Sequence, residues 1–182
     1  MADLPTPCLI DTGVPLVANR QAKQASPECV TACADALDQL TRTGRLVLDS
    51  LGGIVSEYQN KLLHRRGPRG PGDEFLLWVF TNQWNPARCE RVTITKTGSD
   101  PPFFAEFPQT AGLARFDPSD CKFVATANAH PCKPPIVVSV DTDWADCEVA
   151  LAEAGIRIHG LCPPDLAALH ARKRRTAPGK GP

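Results

Sequence analysis

The chain has 182 residues, 42% hydrophobic and 22% charged, enough for one compact domain with a sizeable core and too apolar for a disordered chain. Its 20 basic and 20 acidic residues cancel, so no global field marks it for a polyanion. No apolar run approaches the roughly 20 residues that span a bilayer, and no basic start runs into an apolar stretch as in a signal peptide. The expected address is therefore the cytoplasm, with no membrane partner.

In chain order, Cys8-Leu9-Ile10 reads as a short strand running into Asp11-Thr12-Gly13. A helix is predicted over 26–43: Ser26 caps it, Pro27 takes its first position and Gly44 follows its end. Val30, Cys33, Ala34, Leu37 and Leu40 give it an apolar stripe. A strand over 45–48 and a helix over 53–64 follow, then a Pro/Gly-rich loop over 66–72. A third helix is predicted over 73–83 and a strand over 91–95, while Pro101, Pro102 and Pro108 argue for loop beyond it.

The last third is clearer. Asp117 as N-cap and Pro118 at the first helical position open a helix that runs to Ala129. Residues 136–140 are apolar except for Ser139, the pattern of a strand inside a parallel sheet. A helix over 144–154 ends at Gly155, and a strand over 156–158 follows. Strands alternating with helices predict an α/β fold with a mostly parallel sheet. The domain is assigned to residues 1–162. Residues 163–182 are expected to form a short terminal helix, opened by Pro163-Pro164, and a disordered basic tail.

Eight cysteines stand at 8, 29, 33, 89, 121, 132, 147 and 162, with no Cys-x2-Cys pair. The one close pair, Cys29 and Cys33, has helical spacing. They read as reduced core thiols, not as a zinc or disulfide framework. The four histidines show no metal-ligand spacing either.

Three acids fall where α/β topology gathers ligands. Asp11 ends the first strand, Asp141 ends the strand over 136–140, and Asp120 lies in the first turn of its helix, favoured by the macrodipole. Carboxylates converging at one sheet edge repel one another unless a cation sits among them, and hard oxygen ligands select Mg2+ or Mn2+.

Three segments resemble motifs of the PIN-domain nucleases. Leu9-Ile10-Asp11-Thr12-Gly13 is similar to their opening strand, which delivers an Asp followed by a hydroxyl residue. The run from Asp120 to Ala127 resembles their Asp-led helix with small residues on its packing face. Val138-Ser139-Val140-Asp141-Thr142-Asp143-Trp144 resembles their closing strand. Glu57, on an early helix, fits the place of the remaining acid. The long Pro- and Gly-rich stretch over 61–116 departs from the smallest members.

The resemblance implies a three-layer α/β/α sandwich with a central, mostly parallel sheet. It implies an endoribonuclease that hydrolyses phosphodiester bonds of single-stranded RNA with Mg2+ or Mn2+. Asp11, Glu57, Asp120 and Asp141 would be catalytic and would hold the metal, with Asp143 supporting them from behind. Thr12, Ser139, Arg65 and Arg66 would face the substrate, Arg65 and Arg66 within a basic cluster that includes Arg69.

Duller roles compete. Glu57 and Lys61 are spaced as an i,i+4 surface pair, Asp143 is placed to cap the helix at Trp144, and Thr12 and Ser139 are suited to structural work. Trp78 and Trp84 are assigned to the core rather than to base stacking. A dehalogenase-type phosphatase needs a second Asp two positions after the first, where this chain has Gly13. A non-catalytic binding module on the same fold, or one half of a toxin–antitoxin or defence pair, is the alternative. A protein partner such as an antitoxin, and homodimerisation, are compatible with either.

Overall fold

The computed structural model describes residues 4–62, 68–98 and 103–176, the side chains of 173–176 excepted. Its strands are β1 (Leu9–Ile10), β2 (Leu46–Asp49), β3 (Cys89–Val92), β4 (Ile136–Val138) and β5 (Ile158–Gly160). All pair in parallel, as β1-β4-β5 and β2-β3. The two ladders meet at a parallel bridge between Cys8 and Leu46, where Cys8 N donates to Arg45 O at 3.2 Å and Val47 N to Cys8 O at 2.8 Å. The strands thus run β3-β2-β1-β4-β5.

From β1 the chain steps outward one way to β3, then returns to build the other half through β4 and β5. Where that order reverses, between β1 and β4, the connections leave in opposite directions and open a crevice at the carboxyl ends of the strands.

The helices are α1 (Gly13–Ala18), α2 (Pro27–Thr43), α3 (Gly53–Leu62), α4 (Pro71–Asn82), α5 (Cys121–Ala129), α6 (Thr142–Asp146), α7 (Glu148–Glu153) and α8 (Pro163–Thr176). The four residues of β2 and the three of β4 are buried, which is why residues 46–48 and 136–138 read as unbroken apolar runs. α2 buries Cys29, Cys33, Ala36, Leu37 and Leu40, and its Ser26 Oγ accepts the Cys29 N–H at 3.1 Å as a true N-cap.

Several elements differ from the sequence-based expectation. α1 is an unforeseen helix, six residues long and mostly buried. Pro71 and Gly72, assigned to a loop, open α4, where Asp73 Oδ2 accepts the Gly70 N–H at 2.7 Å. Gly72 is required there: a Cβ would lie 2.2 Å from the Pro15 carbonyl oxygen of α1. The expected strand over 91–95 is β3, two residues earlier.

Asp117 does not cap α5. Its Oδ1 accepts the Ser119 N–H at 2.8 Å in a tight turn, and the helix starts at Cys121 with Asp120 at the N-cap position. The helix expected over 144–154 is divided at Cys147 into α6 and α7. The terminal helix spans 14 residues and includes the basic run over 172–175.

The cysteines depart most from expectation. Cys29 and Cys162, 133 residues apart in sequence, form a disulfide, so they are not reduced thiols. Two distant cysteines whose neighbours show no pairing motif give no sequence signal for this. Together with a hydrogen bond from Ser26 N to Asp165 Oδ2 at 2.8 Å, the bridge ties the start of α8 to the start of α2. No described helix is long and apolar enough to cross a membrane.

Candidate active site

A cavity of about 470 Å³ opens at the crevice, and its lining includes Asp11, Glu57, Asp120 and Asp141. Four different elements deliver these four carboxylates. Asp11 follows β1 directly, its N–H extending the ladder to Val137 O at 2.9 Å. The strand end is fixed from behind by Tyr58 of α3, whose buried hydroxyl donates to the Ile10 carbonyl.

Asp11 is 3% exposed, and its Oδ2 accepts the Gly13 N–H at 2.8 Å. A side chain at Gly13 cannot be accommodated without displacement, since its Cβ would fall 2.7 Å from that oxygen and 3.0 Å from Ser139 Oγ. Asp141 is the N-cap of α6, its Oδ1 accepting the Asp143 N–H at 2.9 Å. The cap expected from Asp143 is therefore supplied two residues earlier, and Asp143 itself is exposed. Asp120 is 8% exposed and occupies the N-cap position of α5, yet its side chain caps no N–H of that helix.

Glu57 does not use the expected i,i+4 partner. It forms an ion pair with Lys122 of α5, whose ammonium also donates to the Ser119 carbonyl and lies 5.0 Å from the Phe123 ring centre. Lys122 is the site residue the sequence reading missed. Its only sequence signal is its place two residues after Asp120.

Electrostatics mark the four acids as one group. Burial pushes the Asp11 carboxyl up to about 7; the Gly13 N–H opposes this, and the charges of Asp141 and Glu57 add to it. Burial likewise pushes Asp120 up to about 8, with Asp11, Glu57 and Asp141 each adding repulsion. The buried indole N–H of Trp144 has no hydrogen-bond partner of good geometry, but it lies near enough to favour ionised Asp11. Among the described residues, no three of these carboxylates bring ligand oxygens within 4.8 Å of one another. They ring the cavity rather than close upon a point.

Two buried hydroxyls beside them, Thr12 Oγ1 and Ser139 Oγ, make no hydrogen bond within the protein. A buried hydroxyl left unpaired costs about 1–3 kcal/mol, so both mark a place that a water or ligand oxygen would satisfy. Asn60, Lys61 and Ser119 complete the polar rim. Arg65 and Arg66 lie outside the described residues, a few positions beyond Lys61.

Of the aromatics, Trp78 packs on the core and stacks with Phe75 at 6.4 Å between ring centres. Trp84 does not belong to the core: it is 73% exposed, with the Arg91 guanidinium 4.1 Å from its ring centre. No protein-family model, no curated protein and no solved structure matches the chain.

Proposed function

We propose that the protein is a divalent-metal-dependent endoribonuclease of the PIN-like kind, with the three-layer α/β/α architecture that kind implies. The observation that carries this reading is the convergence of Asp11, Glu57, Asp120 and Asp141 on one cavity at the strand-order reversal, two of them forced toward protonation by burial and mutual repulsion. Buried acids with no cation to face are a costly arrangement. An all-oxygen donor set with two unpaired hydroxyls beside it suits Mg2+ or Mn2+.

A cation held there supplies charge that acidifies bound water and offsets charge on a phosphoryl oxygen. The chain's own residues do the rest. Asp11, fixed by the Gly13 N–H and the end of β1, and Asp141, fixed as the α6 cap, are the most rigid ligands. Asp120 faces the same cavity unencumbered by capping, and the ion pair with Lys122 holds Glu57 in place. Thr12 and Ser139 offer hydroxyls to a water or a substrate oxygen, while Asp143 supports the Asp141 turn. Lys61, with Arg65 and Arg66 beyond it, would contact the phosphates of single-stranded RNA.

The test is cleavage of labelled single-stranded RNA with Mn2+ or Mg2+. Wild type should cut and EDTA should stop it. Asp11→Asn should lose at least about 100-fold in rate, and it should lose the metal-induced rise in melting temperature as well. Undiminished cleavage by that variant would place the chemistry elsewhere. Metal binding without cleavage of any RNA or DNA would favour a binding module.

A further inference from the structure

Outside the lining of the acidic cavity, three buried sulfurs gather where two helices begin. Cys29 and Cys33 stand one turn apart at the start of α2, and Cys162 immediately precedes α8. All three sulfurs lie within 4.8 Å of one another, and Cys33 Sγ is 3.9 Å from Cys162 Sγ. A disulfide between Cys29 and Cys162 accounts for two of them and leaves the third unexplained. Asp165, in the first turn of α8, stands beside this group, held by the Ser26 N–H at 2.8 Å and close enough to act electrostatically on Cys33.

We propose that Cys29, Cys33 and Cys162 supply three ligands of a zinc site when the Cys29–Cys162 disulfide is reduced, the fourth position being left to water, the structure showing the oxidised form. Tetrahedral zinc with Zn–S bonds of about 2.3 Å sets its sulfurs roughly 3.8 Å apart. The 3.9 Å between Cys33 and Cys162 already has that spacing. Once reduced, the pair would part by rotation about the Cα–Cβ bond of Cys29.

Two long helices, of 17 and 14 residues, direct their N-termini at the group, and their partial positive charge favours thiolates there. Cys33 is fully buried, and one turn of α2 holds it beside the bridge.

The chemistry balances. A phosphine reductant and one water convert the disulfide to two thiols and a phosphine oxide, a two-electron reduction. Zn2+ then displaces one proton from each of the three thiols and keeps a water as its fourth ligand. This site shares no residue with the acidic cavity, so it stands or falls independently of the nuclease reading.

The test uses the full chain, reduced with a phosphine and freed of it without air, then titrated with Co2+ and, in competition with a chromogenic chelator, with Zn2+. The intense sulfur-to-cobalt charge-transfer band, which carboxylates cannot produce, should correspond to one thiolate-bound equivalent, with release of about three protons. The oxidised protein, same sequence and intact fold, should bind at least about 100-fold more weakly at this site. Cys33→Ser should weaken zinc at least about 10-fold, and Asp11→Asn should leave the thiolate band unchanged. Absence of the band in the reduced protein, or equal zinc affinity in oxidised and reduced forms, overturns the proposal. If Cys33→Ser fails to fold, the comparison between redox states decides alone.

Discussion

Replacing Asp120 with Asn should stabilise the metal-free protein at alkaline pH and change it little in acid. In the unfolded chain this carboxyl titrates near its ordinary 3.8, and in the fold it holds its proton up to about 8. Between those values the folded state binds more protons than the unfolded state, so stability falls as pH rises through the window and is flat above it. At about 1.4 kcal/mol for each pH unit, the span of about 4 sets a ceiling near 6 kcal/mol. Water in the open cavity and the adjustment of neighbouring carboxylates should reduce the realised difference to about 2–3 kcal/mol.

Asn carries no charge to bury, keeps the shape, and gives up no capping hydrogen bond, because Asp120 makes none. For a domain of this length the gain corresponds to roughly 5–10 °C in melting temperature. The assay is thermal melting by circular dichroism at about pH 4.5 and about pH 8, with EDTA and without reductant so that the disulfide persists. The reasoning is refuted if the variant melts no higher than wild type at the alkaline pH, or if wild-type stability is flat between the two conditions.

Two further substitutions probe the same cavity. Lys122→Met leaves Glu57 half-buried without its cation and should lower metal-free stability by about 1–3 kcal/mol, read by urea unfolding; Mn2+ should restore part of the loss. A variant as stable as wild type would mean the pair is held only loosely. Gly13→Ala drives a methyl into Asp11 Oδ2 and should weaken Mn2+ binding at least about 10-fold, measured by calorimetry, at a stability cost of about 1–2 kcal/mol. Unchanged affinity would show that the Asp11 carboxylate has free room to move.

Legibility in the sequence followed burial. β4 was recognisable because both its faces are covered, leaving Ile136, Val137 and Val138 as an unbroken apolar run. α2 was recognisable because cap, first-turn proline and apolar stripe agree at every level. α1 escaped because six residues offer less than two turns of periodicity, and Pro15 inside it reads as a breaker until its place in the first turn is known. The start of α5 lies later than the sequence suggests for a related reason. Asp117-Pro118 is an equally good opening for a turn, and the Asp117 carboxylate is used up on Ser119.

The acids were legible for a different reason from the contacts among them. Asp11 and Asp141 sit one and three residues beyond the last residues of β1 and β4, and any doubly wound order that places those strands side by side brings both to one edge. Topology alone therefore assigns them. Glu57 and Asp120 come from helices, where the outcome depends on rotation about the helix axis and on which cation arrives first. Helix periodicity offered Glu57 a partner at Lys61, but α3 turns that face toward α5, so Lys122 is met instead. The consequence is chemical as well as structural. Lys122 is a counter-ion for Glu57, and on the proposed reading a divalent cation would compete with it for that carboxylate. That competition would make Asp11, Asp120 and Asp141 the firmer ligands of the proposed metal and Glu57 the one whose contribution varies most with what occupies the cavity.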